Sequence, residues 1–166
     1  MVKPNVKLLT MTALFAAMIA ALTSFGHIPL GNGYVHMGDG VIYLAACILP
    51  FPYAIFAAVI GGGAADALSG YAVYIIPTMA IKALVVLPFS SKGDKILSTR
   101  NALMIFPAGI INIAGYFAVS LMLYGLPGTL FTLVGDSAQA FGSGILFIAL
   151  AYGLDKIGFK RSVLRS

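Results

Sequence analysis

The chain has 166 residues, of which 60% are hydrophobic and 9% charged, and its mean hydropathy is +1.00. A water-soluble domain carries roughly 25% charged residues, so this composition excludes a globule that hides its apolar surface from water and indicates an integral membrane protein. The formal charge of +5 does not point to nucleic acid, because the basic residues stand at the ends of apolar runs, where they act as topology signals.

Residues 8–25, LLTMTALFAAMIAALTSF, form the first expected span. Lys3 and Lys7 precede it as in a signal peptide, but the run is longer than an ordinary h-region and more spans follow, so it reads as retained. HIPLGNGYVHMG follows as a polar, glycine-rich loop with Gly31-Asn32-Gly33 as its turn signal. The second span covers about 39–50 and stops at Pro50-Phe51-Pro52, the third 53–69, and the fourth 71–88. SSKGDKILSTR is the strongly hydrophilic interior stretch. The fifth span covers about 101–124, Leu126-Pro127-Gly128 turns the chain, and the sixth runs over about 127–154 into a basic tail. At about 20 residues per span, the expectation is one all-α domain, residues 1–166, of six transmembrane helices.

Orientation follows from lysine and arginine. With six spans, nine of the ten basic residues fall at the N-terminus, the loop between the fourth and fifth spans, and the C-terminus. That places both termini in the cytoplasm. Asp94 and Asp155 lie on the same side, whereas Asp39, Asp66 and Asp136 fall in or near the outer half. Lys82 stands eleven residues past Tyr71, ~16 Å deep at 1.5 Å per residue.

An ionisable side chain inside a span costs about 2.5–3.5 kcal/mol, so it faces a partner or a cavity. Asp39, Asp66, Asp136 and Lys82 therefore suggest a polar pocket open to the outside. A purely structural Asp66–Lys82 ion pair is the alternative, helped by a kink at Pro77. Asp39 reads either as a helix N-cap or as a wall of the pocket, and His36 as a lid over it. A His27–His36 metal pair is the weaker reading, and no metal or cofactor is expected. Asn112 and Tyr116 are four apart, Asp136 and Gln139 three apart, so each pair shares a helix face. These pairs either bond neighbouring helices or converge with Asp39 and Asp66 on a ligand, on whose ring Tyr43, Tyr71, Tyr74 or Tyr116 can stack. A pocket with three aspartates is negative, which favours a small aromatic ligand bearing amine or hydroxyl donors.

In the first span, Ala13, Ala17 and Ala21 recur every fourth residue with Ala16 and Ala20 beside them. Such a stripe permits close helix approach, either within the chain or to another membrane subunit; the run Gly61-Gly62-Gly63-Ala64-Ala65 carries the same two readings. Cys47, the single cysteine, lies in an apolar run and reads as a core residue. The sequence carries no phosphate-binding loop, no His-Glu-x-x-His and no nucleophile elbow, so it is not expected to hydrolyse ATP or act as an enzyme.

The stretch VHMGDGVIYLAACILPFPYAIFAAVIGGGAADALSGYAVYIIPTMAIKAL, residues 35–84, resembles the substrate-binding (S) components of energy-coupling factor (ECF) vitamin transporters. It looks closest to the subgroup associated with hydroxymethylpyrimidine, pyridoxine and related precursors. The matching pieces are His-Met-Gly-Asp at 36–39, Gly-Ala-Ala-Asp at 63–66, Ser-Gly-Tyr at 69–71, and Pro77 followed by Ile81-Lys82. The alanine stripe is similar to that family's docking face, whereas Leu49-Pro50-Phe51-Pro52 departs from the Gly-Pro turn of many relatives. The resemblance implies capture of a vitamin or precursor from outside, beneath the first external loop. It also implies release through an EcfT-like transmembrane coupling subunit with two EcfA-like ATPase subunits, in the plasma membrane of a prokaryote. Competing readings are a small membrane-embedded enzyme using Asp39, Asp66 and Asp136, or an autonomous oligomeric carrier or channel.

Overall fold

The computed structural model describes residues 5–30 and 33–164. Helix α1 (Val6–Phe25) starts where the Asn5 side chain accepts the Leu8 N–H at 3.3 Å. Its buried stripe of Met11, Phe15 and Ile19 faces the bundle, while Leu14, Met18 and Leu22 point outward. A helix apolar on all sides suits a position between a protein core and lipid. Strands β1 (Ile28–Leu30) and β2 (Gly33–Val35) pair antiparallel with Ile28 opposite Val35 and Leu30 opposite Gly33. The segment expected as a loop thus holds two short paired strands, because Ile28 and Val35 favour extended backbone. Gly31 and Asn32 of the expected turn lie outside the described residues.

Helix α2 (Asp39–Ile48) is buried along its whole length. It stops at Leu49 (φ −82°, ψ 147°), since a residue preceding proline is driven to extended backbone. Helix α3 (Phe51–Leu68) begins with Pro52 in its first turn, where the missing N–H has no intrahelical role. It lies tight against α1: a Cβ on Gly61 would stand 2.8 Å from the Ala16 carbonyl oxygen and 2.8 Å from the Ile19 Cβ. A short 3₁₀ turn (Ala72–Tyr74) leads into α4 (Ile75–Val86). Pro77 falls in the first turn of α4 and does not kink a continuous span, contrary to the expectation, because the chain has already changed course at the 3₁₀ turn.

Helix α5 (Thr99–Leu103) precedes α6 (Ile105–Lys156), which is two arms broken at Gly125. With φ 68° and ψ −179°, Gly125 adopts a conformation that only glycine takes without strain. The reversal expected at 126–128 therefore falls one residue earlier, and Pro127 enters the first turn of the second arm. The arms run antiparallel side by side: a Cβ on Gly109 would touch the Ala140 Cβ at 3.5 Å, and one on Gly144 would meet the Ile105 Cγ2 at 2.9 Å.

Helix α7 (Phe159–Leu164) folds back beneath the bundle. Its Lys160 donates to the Cys47 carbonyl at 2.7 Å, a cation on the electronegative end of α2, although burial pulls the Lys160 pKa down. At the same end Asp155 accepts the N–H groups of Ile96 and Leu97 at 2.8 and 2.9 Å, which fixes the loop before α5. Helix α1, helix α3 and the α5–α6 stretch Thr99–Lys156 are each long and apolar enough to cross a membrane, and the helices Asp39–Ile48 and Ala72–Val86 are apolar but shorter.

Candidate functional site

Because α2 has only ten residues, it rises ~15 Å from the Pro50 end of the bundle, about half a hydrocarbon core of ~30 Å. Asp39, at its start, is consequently deep in the bundle and not at its mouth. Its Oδ1 lies 2.7 Å from the Lys82 ammonium of α4, and the two side chains are 0% and 2% exposed. Lys82 also donates to the Asn112 Oδ1 in the first arm of α6 at 2.7 Å and sits 5.0 Å from the Tyr116 ring centroid. The other Asp39 oxygen accepts from the Gln139 Nε2 in the second arm at 3.1 Å, and the Gln139 Oε1 accepts the His36 N–H at 3.3 Å.

Two sequence readings are corrected here. The N-cap of α2 is Gly38, without a side-chain cap bond, so Asp39 does not cap. The partner of Lys82 is Asp39 and not Asp66, because α2 is short enough to bring Asp39 to the depth of the lysine.

Above this layer a cavity opens at the hairpin end, with about 520 Å³ of free space counted out to its mouth. His36, Asp66, Tyr71, Tyr74, Tyr116, Asp136 and Gln139 line it, all of them expected from the sequence. Tyr74 and Tyr116 have ring centroids 6.3 Å apart, and the Tyr116 hydroxyl shares a 2.9 Å hydrogen bond with Thr78. The Asp136 Oδ2 is buried and has no hydrogen-bond partner among the described residues.

His36 is buried, and its Nδ1 accepts the Gly38 N–H at 3.0 Å, which leaves the ring proton on Nε2. Burial pulls its pKa down to about 4, against the attraction of Asp39 and with the repulsion of Lys82 and His27. His27 donates from Nδ1 to the Ser24 carbonyl at 2.5 Å.

Four expected residues do not line the cavity. Asp39, Lys82 and Asn112 are the buried layer beneath it, reached from the wall through Gln139. Tyr43 lies a turn further along α2, stacked on Phe89 at 4.9 Å and edge-on to Phe147 at 6.1 Å, in the core and not on the cavity wall. Val35, Ser120, Thr132 and Gly135 line the cavity without having been singled out. Ser120 follows Tyr116 by four and Thr132 precedes Asp136 by four, so the same helical spacing points to both. The alanine stripe divides: Ala16 and Ala20 are buried, while Ala13, Ala17 and Ala21 face outward.

An apolar helical bundle with a polar, tyrosine-walled cavity at one end is the form of a membrane-embedded small-molecule binding protein. The chain matches the ECF-type riboflavin transporter S-component family over residues 3–156, and it belongs to that family. It is also 32% identical over 131 residues, 78% of this chain and 87% of the relative, to a protein of Pyrococcus woesei described as an uncharacterized protein in gap 3'region. The chain is therefore a membrane-embedded, substrate-binding subunit of a vitamin-uptake transporter.

Proposed function

We propose that the chain captures, from outside the cell, a small aromatic vitamin or precursor that carries amine or hydroxyl donors. One observation carries this reading: among the described residues, the cavity wall holds two carboxylates and three tyrosines but no lysine or arginine. The charge of Asp39 is already balanced by Lys82, which leaves Asp136 as the wall carboxylate with an open oxygen. The unpartnered Asp136 Oδ2 calls for a donor or a cation, since a buried carboxylate needs one to offset its desolvation. An aminopyrimidine, a pyridoxine-like pyridine or a 7-deazapurine supplies donors and a ring for the tyrosines. Riboflavin, the vitamin in the family's name, is also planar, uncharged and rich in hydroxyls, and belongs to the same class of candidates. Anionic vitamins such as pantothenate or folate fit worse.

Delivery then requires an EcfT-like coupling subunit and two EcfA-like ATPases. The subunit crosses a prokaryotic plasma membrane as one domain of six spans, α1, α2, α3, α4 with its 3₁₀ turn, and the two arms of α6. Both termini lie in the cytoplasm, with the cavity outside.

The test is a calorimetric titration of the purified chain with these candidates, repeated on Asp66→Asn and Asp136→Asn. Each variant should bind at least about tenfold more weakly, ~1.4 kcal/mol per decade. Unchanged affinity in both variants, or tighter binding of pantothenate than of any donor-rich ring, overturns the reading. ATP-independent accumulation by the isolated chain in proteoliposomes overturns the partner assignment.

A further inference from the structure

At the end of the bundle opposite the cavity, a second recess opens where α2, α3 and α4 meet the loop before α5. Its walls are apolar: Pro50, Phe51, Val86 and Phe89. Its rim is basic, with Lys92 and Arg100 beside the Ser90 and Ser91 hydroxyls.

Three features distinguish this rim from a solvated basic surface. Neither Lys92 nor Arg100 forms an ion pair with a described carboxylate, whereas Arg161 at the same end meets Asp94 at 3.4 Å. The segment is also held in place: Asn101, fully buried, accepts the Ser90 N–H at 3.1 Å and donates to the Ser90 carbonyl at 3.0 Å. The Ser90 hydroxyl in turn accepts the Lys92 N–H at 3.4 Å, and the Arg100 guanidinium donates to the Asn101 Oδ1 at 3.4 Å. Both cation-bearing segments are thus tied to one buried asparagine. Finally, apolar surface runs directly into the rim, where Phe51 is 54% exposed. A free phosphate would use the cations and leave that wall bare.

We infer that this recess binds an anionic phospholipid, its phosphate between Lys92 and Arg100 and an acyl chain along Phe51, Val86 and Phe89. The assignment to the cytoplasmic leaflet rests on the orientation proposed above; the binding itself does not. A basic pocket between helices at this face is suited to an anionic headgroup, and the planar Arg100 fork matches phosphate oxygens.

The experiment is native mass spectrometry of the full chain in detergent, titrated with equal phosphatidylglycerol and phosphatidylcholine, with and without inorganic phosphate. The native chain should retain phosphatidylglycerol with about a tenfold preference or more, and millimolar phosphate should not displace it. Lys92→Ala with Arg100→Ala should lose that preference while melting as the native chain does in phosphatidylcholine. Lys156→Ala, a basic residue of the same end whose ammonium lies 4.5 Å over the Tyr152 ring, should keep it. Equal loss in Lys156→Ala would mean diffuse surface charge, and displacement by phosphate would mean a simple anion site. Retained lipid preference in the double variant together with lost co-purification of a coupling subunit would mean an acidic protein segment. Each of these overturns the inference. None of the readouts uses a vitamin, so a wrong ligand class for the outer cavity leaves the lipid result intact.

Discussion

Replacing Lys82 by methionine removes an ammonium and keeps most of its stem. In the native chain that ammonium lies 2.7 Å from Asp39 and 2.7 Å from Asn112, in a site where Asp39 is wholly excluded from solvent. The variant leaves the Asp39 carboxylate with one hydrogen-bond donor among the described residues, the Gln139 amide. Breaking a buried ion pair from one side costs about 3–5 kcal/mol. Single hydrogen bonds between membrane helices average only about 0.6 kcal/mol, because the unfolded chain in the bilayer also finds partners. The stranded charge is the larger effect here, so the lower end of the first range, about 3 kcal/mol, is expected. At roughly 2–4 °C per kcal/mol for a chain of this size, Tm should fall by roughly 6–12 °C. Asp39→Asn should destabilise similarly by stranding Lys82. Combining the two removes both charges and should recover most of the loss, to within about 1 kcal/mol of native. Melting of detergent-solubilised protein followed by size-exclusion profile measures all three. A single-variant drop under about 2 °C, or a double variant no better than the sum of the singles, would refute the reasoning.

Two further outcomes follow from the divided alanine stripe and from the buried histidine. Ala17→Leu, on the outward face, should abolish co-purification with a coupling subunit yet keep native melting and ligand binding, whereas Ala16→Leu, packed beside Gly61, should melt several degrees lower; loss of ligand binding in Ala17→Leu would mean the face packs internally. His36, whose pKa burial lowers from 6.5 to about 4, contributes stability that is complete above pH 6.5 and is lost as pH falls toward 4, so the native-minus-His36→Asn difference in Tm should shrink across that window; a difference constant from pH 7 to 4 would contradict it.

Much of the fold is legible in the sequence because proline and glycine mark where its helices must stop. Pro50 ends α2 through its effect on Leu49, and a glycine–proline stretch marks the reversal inside α6, missed by one residue because Gly125 itself makes the turn. The hairpin is not legible in the sequence, because three-residue strands carry too little periodicity to separate from a glycine-rich connection. For the site, helical spacing places Tyr116 and Asp136 on shared faces with Ser120 and Thr132. What spacing does not supply is depth. The pairing of Lys82 depends on how far α2 rises relative to α4, and Tyr43 and Tyr74 are equally aromatic in the sequence. Only packing sends Tyr43 onto Phe89 and Tyr74 to the cavity wall.

The five acids thus divide by where the fold places them. Asp94 meets Arg161, an exposed pair that contributes little. Asp155 holds two backbone N–H groups and thereby the loop that carries Lys92. Asp39 is satisfied by Lys82 and Gln139, inside a layer that joins α2, α4 and both arms of α6. Asp66 and Asp136 remain on the cavity wall. The Gln139 amide joins the last two groups of residues: its nitrogen serves Asp39, its oxygen serves the His36 backbone beneath the hairpin, and its side chain also faces the cavity. Its orientation is fixed by those two bonds, since reversing the amide would set an oxygen against a carboxylate and a donor against an N–H. One amide hydrogen and one oxygen lone pair of Gln139 remain beyond these two bonds, so a group entering the cavity can meet a side chain whose orientation the ion-pair layer and the loop over the cavity have already set.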